Sequence, residues 1–526
     1  MGSIPITRST FLRSVLGAGM NKLLKYGLLG VGGMVGLFVI FLVVIAFTVE
    51  PNSFKPQIVN LVQEKKQRTL TLEGDIKLTF FPRLGLDLGK TRLSEHKSAK
   101  DFASLDSVQL YVAWLPLLYK ELVIRKVRVE GARVNLVRNA DGTTNFDDLI
   151  SKDKSKQIKF DIDGVKVSRS ALRFDDRMTK RKWDISDLEM SSGRIKDNTH
   201  THVALDFKLA GDNPQLATHI VLKSGLLFAL EEQHYALDGV DLKASGVADG
   251  ISQLDLLARG DVDVKVKTQE ITLKDCKITL KGNRATDKLD IALDAPKLML
   301  TEKKAEGTKL TLAAKVERQN GKLAATFTLP DLSGSPQQFQ VSQLSVDVDG
   351  KQGDNHIKGK LTSPLTGSLA AQTVNLPTIR ANFDVANPRL SKGGIKLALN
   401  GDARADLIKQ QAAAVFMAKL DDSAIQTKLG MNQFAHPRIN FDIVIDQLNV
   451  DRYLPPGAKT KQPEPASPMD LSDLKAIDAS GSVRIGQLKV ASLKSSNVRL
   501  DVKADPGQFP LQQNLSGISS AARSRN

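Results

Sequence analysis

Residues 261–280 read Asp261-Val262-Asp263-Val264-Lys265-Val266-Lys267-Thr268-Gln269-Glu270-Ile271-Thr272-Leu273-Lys274-Asp275-Cys276-Lys277-Ile278-Thr279-Leu280. Valine falls on every second position from 262 to 266. Successive strand side chains point to opposite faces, so the valines line one face and the charges the other. Ile271 and Leu273 repeat the pattern. Cys276, Ile278 and Leu280 have the opposite parity, which predicts a bulge or turn at Lys274-Asp275.

The same period of two recurs from about Leu70 to about Val502. It shows in Val127-x-Val129, Val134-x-Leu136, Ile395-x-Leu397-x-Leu399 and Phe441-x-Ile443-x-Ile445. Asp141-Gly142, Asp163-Gly164, Asp238-Gly239, Asp249-Gly250, Gly282-Asn283, Asn320-Gly321, Asp349-Gly350 and Asn400-Gly401 punctuate it. Such dipeptides suit tight hairpins because both residues adopt positive φ. The fold class is therefore all-β with minor α. Residues 54–67 predict a helix, since Phe54, Ile58, Leu61 and Val62 share a face at the helical period. The Ala-rich residues 404–420 are consistent with helix or strand.

Residues 26–49, YGLLGVGGMVGLFVIFLVVIAFTV, hold no charge. As a helix they span about 36 Å, against a hydrocarbon core of about 30 Å. A cleaved signal has a shorter apolar core and a small-residue cleavage site, so a single uncleaved transmembrane anchor is expected. Lys22 and Lys25 precede the run, which places residues 1–25 in the cytoplasm and the rest across the membrane. Domain boundaries follow: a β-rich region over 50–454, a Pro-rich linker or loop over 455–468, a further β segment over 469–505, and a disordered tail over 506–526.

The chain has 526 residues, 41% of them hydrophobic, and a formal net charge of +16. A basic balance points to nucleic acid or to an anionic membrane surface. Nucleic acid calls for clustered Lys and Arg with interleaved aromatics. Here the basic residues are scattered, and Tyr and Trp number only 5 and 2, so no nucleic-acid partner is expected. One cysteine, Cys276, excludes an intrachain disulfide.

Chemistry is sparse. His200 and His202 share a strand face but lack further ligands at metal spacing. Residues 139–145 lack the glycine placement and terminal Glu of a calcium loop and predict a hairpin turn. Asp161/Asp163, Asp261/Asp263 and Asp347/Asp349 sit on solvated strand faces. Phosphate loops, nucleophile elbows and dinucleotide fingerprints are missing. The residues point to no enzyme, no catalytic or metal site and no cofactor.

Several blocks, in order, carry a family resemblance. Arg68-Thr-Leu-Thr-Leu-Glu-Gly-Asp-Ile-Lys-Leu-Thr-Phe-Phe-Pro82 comes first, then Val108-Gln-Leu-Tyr-Val-Ala-Trp-Leu-Pro-Leu-Leu118 and Leu122-Val-Ile-Arg-Lys-Val-Arg-Val-Glu-Gly131. Val134-Asn-Leu-Val-Arg-Asn-Ala-Asp-Gly-Thr-Thr-Asn-Phe146 and Phe441-Asp-Ile-Val-Ile-Asp-Gln-Leu-Asn-Val-Asp-Arg-Tyr-Leu-Pro-Pro456 follow. Together they resemble the AsmA family over about residues 25–502. Ala132 and Phe146 depart from its usual proline and tryptophan. The resemblance implies a Gram-negative, single-pass inner-membrane protein with a large periplasmic part, acting in outer-membrane biogenesis. Relatives are thought to be bridge-like lipid carriers. Family members continue past the position of Asp505 with another β-rich region, so the resemblance also implies C-terminal truncation.

Two arrangements of the strands stay open on periodicity alone, a stack of small sandwiches or an open sheet. With the resemblance, the expected form is an elongated, twisted antiparallel sheet making a trough-like groove. Its candidate lining is Val262, Val264, Val266, Ile278, Leu280, Leu397, Leu399, Ile443 and Ile445, acting by passive desolvation. The expected partners are membrane phospholipid, the inner-membrane bilayer, and outer-membrane or envelope proteins. The alternative is a scaffold for outer-membrane proteins without lipid conduction.

Overall fold

The computed structural model describes residues 50–79, 84–113, 124–149, 161–388, 390, 393–434, 437–453, 478–490 and 493–504. Residues 1–25, the apolar run 26–49, the Pro-rich segment 455–468 and the tail 506–526 lie outside these residues. Among the described residues, no helix is long and apolar enough to cross a membrane. Strand dominates. Among the described residues, helix is confined to α1 (Lys55–Lys66) and short 3-10 turns at Pro51–Phe54 and Val450–Arg452. The chain divides into two compact units, Met1–Lys182 with Ser186–Lys196, and Trp183–Ile185 with Asp197–Asn526.

In the first unit, α1 ends where Gln67 turns left-handed at φ 55°. Phe54, Ile58 and Leu61 are exposed along it. The next residue, Arg68, is fully buried. Its Nε and Nη2 donate to the two oxygens of Asp148 at 2.7 and 2.6 Å. Its remaining donors meet the carbonyls of Ser94 and Asn145 at 2.8 and 2.7 Å, and the guanidinium stacks 4.5 Å from the Phe102 ring centre. A buried cation is tolerable only when so fully partnered. The expectation of an antiparallel sheet needs correction here. Gly164–Asp176 runs parallel to both Ile124–Glu130 and Arg133–Arg138. Residues 139–163 separate Arg133–Arg138 from Gly164–Asp176, a length that allows the chain to return in the same direction.

In the second unit, strands follow one another in space in the order of the chain. The series begins with Thr201–Gly211, Leu216–Ala229, His234–Ala248 and Ile251–Lys265, and ends with Asp478–Val490 and Leu493–Ala504. Neighbours are antiparallel except Arg438–Asn449 and Asp478–Val490, which are parallel. Two short edge strands, Ala305–Gly307 and Ser333–Gly334, pair beside the long ones.

The parity change read from residues 261–280 is a bulge. The ladder with Ile251–Lys265 slips between Arg259 and Asp261, and Asp275 takes φ 49°. Gly260 lies opposite at φ 141°, where a Cβ would stand 2.8 Å from the Cys276 sulfur. Asp249-Gly250 makes the expected tight turn, with φ of 48° and 78°. Four other dipeptides lie inside strands instead. Asp238-Gly239 is a bulge within His234–Ala248. Gly282, Gly350 and Gly401 make room for cross-strand neighbours: a Cβ would crowd Ile251, Leu323 and Phe416 respectively. Residues 404–420 hold the end of one strand, Gly394–Asp406, and the whole of the next, Gln411–Leu420, whose ladder pairing overrides alanine's helix preference.

Candidate functional site

Residues directly opposite across a ladder share a face of the sheet. Following those pairs from strand to strand traces one row through the second unit. It starts Leu205, Leu222, Leu242, Ala258, Ile278 and Leu293. It goes on through Leu312, Phe327, Val346, Leu361, Ala381 and Leu399. It ends Ala418, Ile425, Ile445, Ile485 and Val498. Every member is apolar, one per strand across seventeen strands. At about 4.8 Å between strands the row is about 75 Å long.

A second row lies beside it. Leu256 pairs with Leu280, Leu280 with Ile291, and Ile291 with Ala314. Phe383 bridges Gly359 and Leu397 further along.

The opposite face is polar. Asp255, Lys281, Asp290 and Lys315 face one another in sequence across three ladders, and Asp349, Lys358, Asp384 and Lys396 across three more. His356 Nε2 lies 2.7 Å from Asp349 Oδ1 and holds that carboxyl below its ordinary value. Ser482 and Arg484 do the same for Asp442. Such mutual pairing keeps the charged face in water and leaves the apolar face as the surface without a solvent role.

That apolar face is open. Of the row, only Ala381, Ile485 and Val498 are buried. Ile278 and Phe327 are 37% and 36% exposed, and the others are half-buried. A second sheet packed at about 10 Å would cover these side chains almost completely. In this unit the strands therefore form an uncovered sheet and not a filled sandwich. An apolar row partly exposed over about 75 Å differs from the singly scattered apolar residues normal on a soluble chain, and contiguous exposed apolar surfaces mark binding sites.

The AsmA family profile matches residues 20–520. The chain belongs to the AsmA family. Protein AsmA of Escherichia coli (strain K12) is 27% identical over 222 residues, which are 38% of this chain and 34% of that protein. The chain thus aligns to about a third of its curated relative's length. No solved structure matches.

In this AsmA family member the structure brings most of the candidate groove residues onto the one face. Ile278, Leu399 and Ile445 are members of the long row, and Leu280 and Leu397 of its neighbour. Ile443 sits one pair along, opposite Thr427 and Val483. Val262 lies between Leu237 and Leu273, and Val264 between Tyr235 and Ile271. Val266 is different: it opens the turn after Ile251–Lys265, is exposed, and its N–H donates to the Gln233 carbonyl at 2.9 Å.

Sequence reading missed the middle of the row, Leu312 to Leu361: Leu344-x-Val346-x-Val348 alternates there, but only the register between strands shows that Val346 lines up with Phe327 and Leu361. Among the described residues, no group of three or more His, Cys, Asp or Glu could hold a metal ion. Burial pushes the Cys276 thiol up, which keeps it protonated and a poor nucleophile.

Proposed function

We propose that this AsmA family chain is an inner-membrane-anchored, periplasmic protein of outer-membrane biogenesis that binds or conducts phospholipid along its apolar sheet face. The role is desolvation without catalysis. The observation that carries the reading is the unbroken, half-exposed row from Leu205 to Val498. Two phospholipid tails hold about 30 methylenes, and at about 0.8 kcal/mol each their exposure to water costs on the order of 25 kcal/mol. A continuous apolar wall removes most of that cost at every point along its length, so a tail meets no high barrier between strands. The apolar run 26–49, which precedes the helix α1 and the β-structure, supports tethering to the membrane from which lipid would be drawn.

Phospholipid retained through purification tests this. Ile278→Asp places a carboxylate in the row at a position exposed enough to keep it hydrated, so the sheet stays folded. Wild-type protein is expected to carry phospholipid and the variant to carry markedly less. An equal load on a folded variant would contradict the reading.

A further inference from the structure

The apolar face has a walled place where bulk is withheld. Ala403 pairs with Ala414 and Ala405 with Ala412, so four alanines floor a patch two strands wide. Large side chains wall it. Leu376 and Val374 stand opposite Ala403 and Ala405 on one side, and Leu429 and Met431 opposite Ala414 and Ala412 on the other. The resulting hollow holds about 280 Å³.

The hollow lies at the strand ends. The turn 407–410 joins its two floor strands, and there Leu407 and Ile408 are 49% and 64% exposed. The next turn on that edge, after Leu429 and Met431, carries exposed Phe434. Apolar surface thus runs from the tips of two neighbouring hairpins into the hollow. On the inner side, Leu399 and Ala418 of the long row lie four residues along the same strands from Ala403 and Ala414.

We propose that this hollow seats a single acyl chain that enters the face sideways, from the strand-end edge between Leu407–Ile408 and Phe434. The proposal rests on the lipid reading above and adds a place of entry. Three features select the occupant. Arg404 also borders the hollow, but strand alternation turns its side chain to the opposite face and the rest of the lining is apolar, so a headgroup or a peptide backbone would lose its water without a partner. The hollow is too small for protein docking, which buries about 1,200–2,000 Å² in a stable complex. Its continuity with the long row, through the Gly401–Phe416 pair, gives a slender apolar chain an apolar way onward.

The test uses the full-length protein in detergent and a phosphatidylethanolamine carrying a diazirine at the end of one acyl chain, with labelled peptides mapped by mass spectrometry. Wild type is expected to be labelled at residues 429–431 and around Ile278. Ala414→Phe fills the hollow and should lower labelling at 429–431 about tenfold while leaving that at Ile278 unchanged. Ala412→Leu, a smaller filling change, guards against misfolding of the first variant and should act in the same direction. Labelling at 429–431 that survives both substitutions would overturn the proposal, as would labelling of the row alone in wild type. Absence of label anywhere on the row would overturn the broader lipid reading instead.

Discussion

The ring of Phe383 lies over Gly359, its partner across the ladder, in the space a Cβ on residue 359 would need. The arrangement recurs. Phe416 lies against Gly401 and Phe441 against Gly481, and Phe339 approaches Gly367 in the same way. Glycine opposite an aromatic lets the ring settle on the backbone. The sheet is therefore smooth at these four rings. Gly359→Ala is expected to push the Phe383 ring off the sheet and destabilise the second unit by about 1–3 kcal/mol. Urea unfolding read from the protein's far-ultraviolet signal checks this; an unchanged midpoint would mean the ring has another place to go at no cost.

The Arg68–Asp148 pair should behave as a buried pair does. Asp148→Asn or Arg68→Met leaves its partner short of charge in a closed site, and either is expected to cost about 3–5 kcal/mol. The double variant Arg68→Met with Asp148→Leu should lose less than the sum of the single losses. Thermal unfolding of the three variants decides it; additive losses would show that the two side chains do not act on each other.

Acid should weaken the first unit. Arg68 holds the Asp148 carboxyl below its ordinary value of 3.8, and Arg138 pushes the Asp176 carboxyl down to about 2. Between the unfolded and folded values the unfolded chain binds more protons, so stability rises with pH there. The contribution is complete above the ordinary carboxylate range and is lost as the pH falls through the lowered values. Melting temperature measured from pH 6 down to about pH 2 should decline most steeply below about pH 4. A decline centred near pH 6 would point to histidines instead.

The charged face predicts a salt effect. Lys358 lies across the ladder from Asp349 on one side and Asp384 on the other. Lys358→Glu sets like charges opposite one another and should lower the melting temperature at low ionic strength. At about 1 M salt, where the Debye length is about 3 Å, the difference from wild type should shrink. A difference independent of salt would mean that the lysine acts through packing of its alkyl chain.

Strand content, the helix over residues 55–66 and the bulge at Asp275 were all legible, because each depends on neighbours within one or two strands. Glycine was the misleading signal. Gly350 and Gly401 follow Asp and Asn, as turn glycines do, yet they serve the bulk of Leu323 and Phe416 across the sheet. The seventeen-residue row was legible only in fragments, since register between strands decides whether Ile278, Leu293 and Leu312 line up. The parallel pairings of Gly164–Asp176 depend on distant segments in the same way. The alanine floor left the least trace, because Ala403, Ala405, Ala412 and Ala414 suit helix and strand alike and matter only for what they leave empty.

The central claim is that one face of the second unit is the lipid-bearing surface. A photo-crosslinking residue placed at Leu312, on the row, and another at Lys315, on the charged face of the same strand, tests it most directly in cells. Phospholipid adducts at 312 and none at 315 are the predicted result. No adduct at 312, or equal adducts at both positions, would contradict the account.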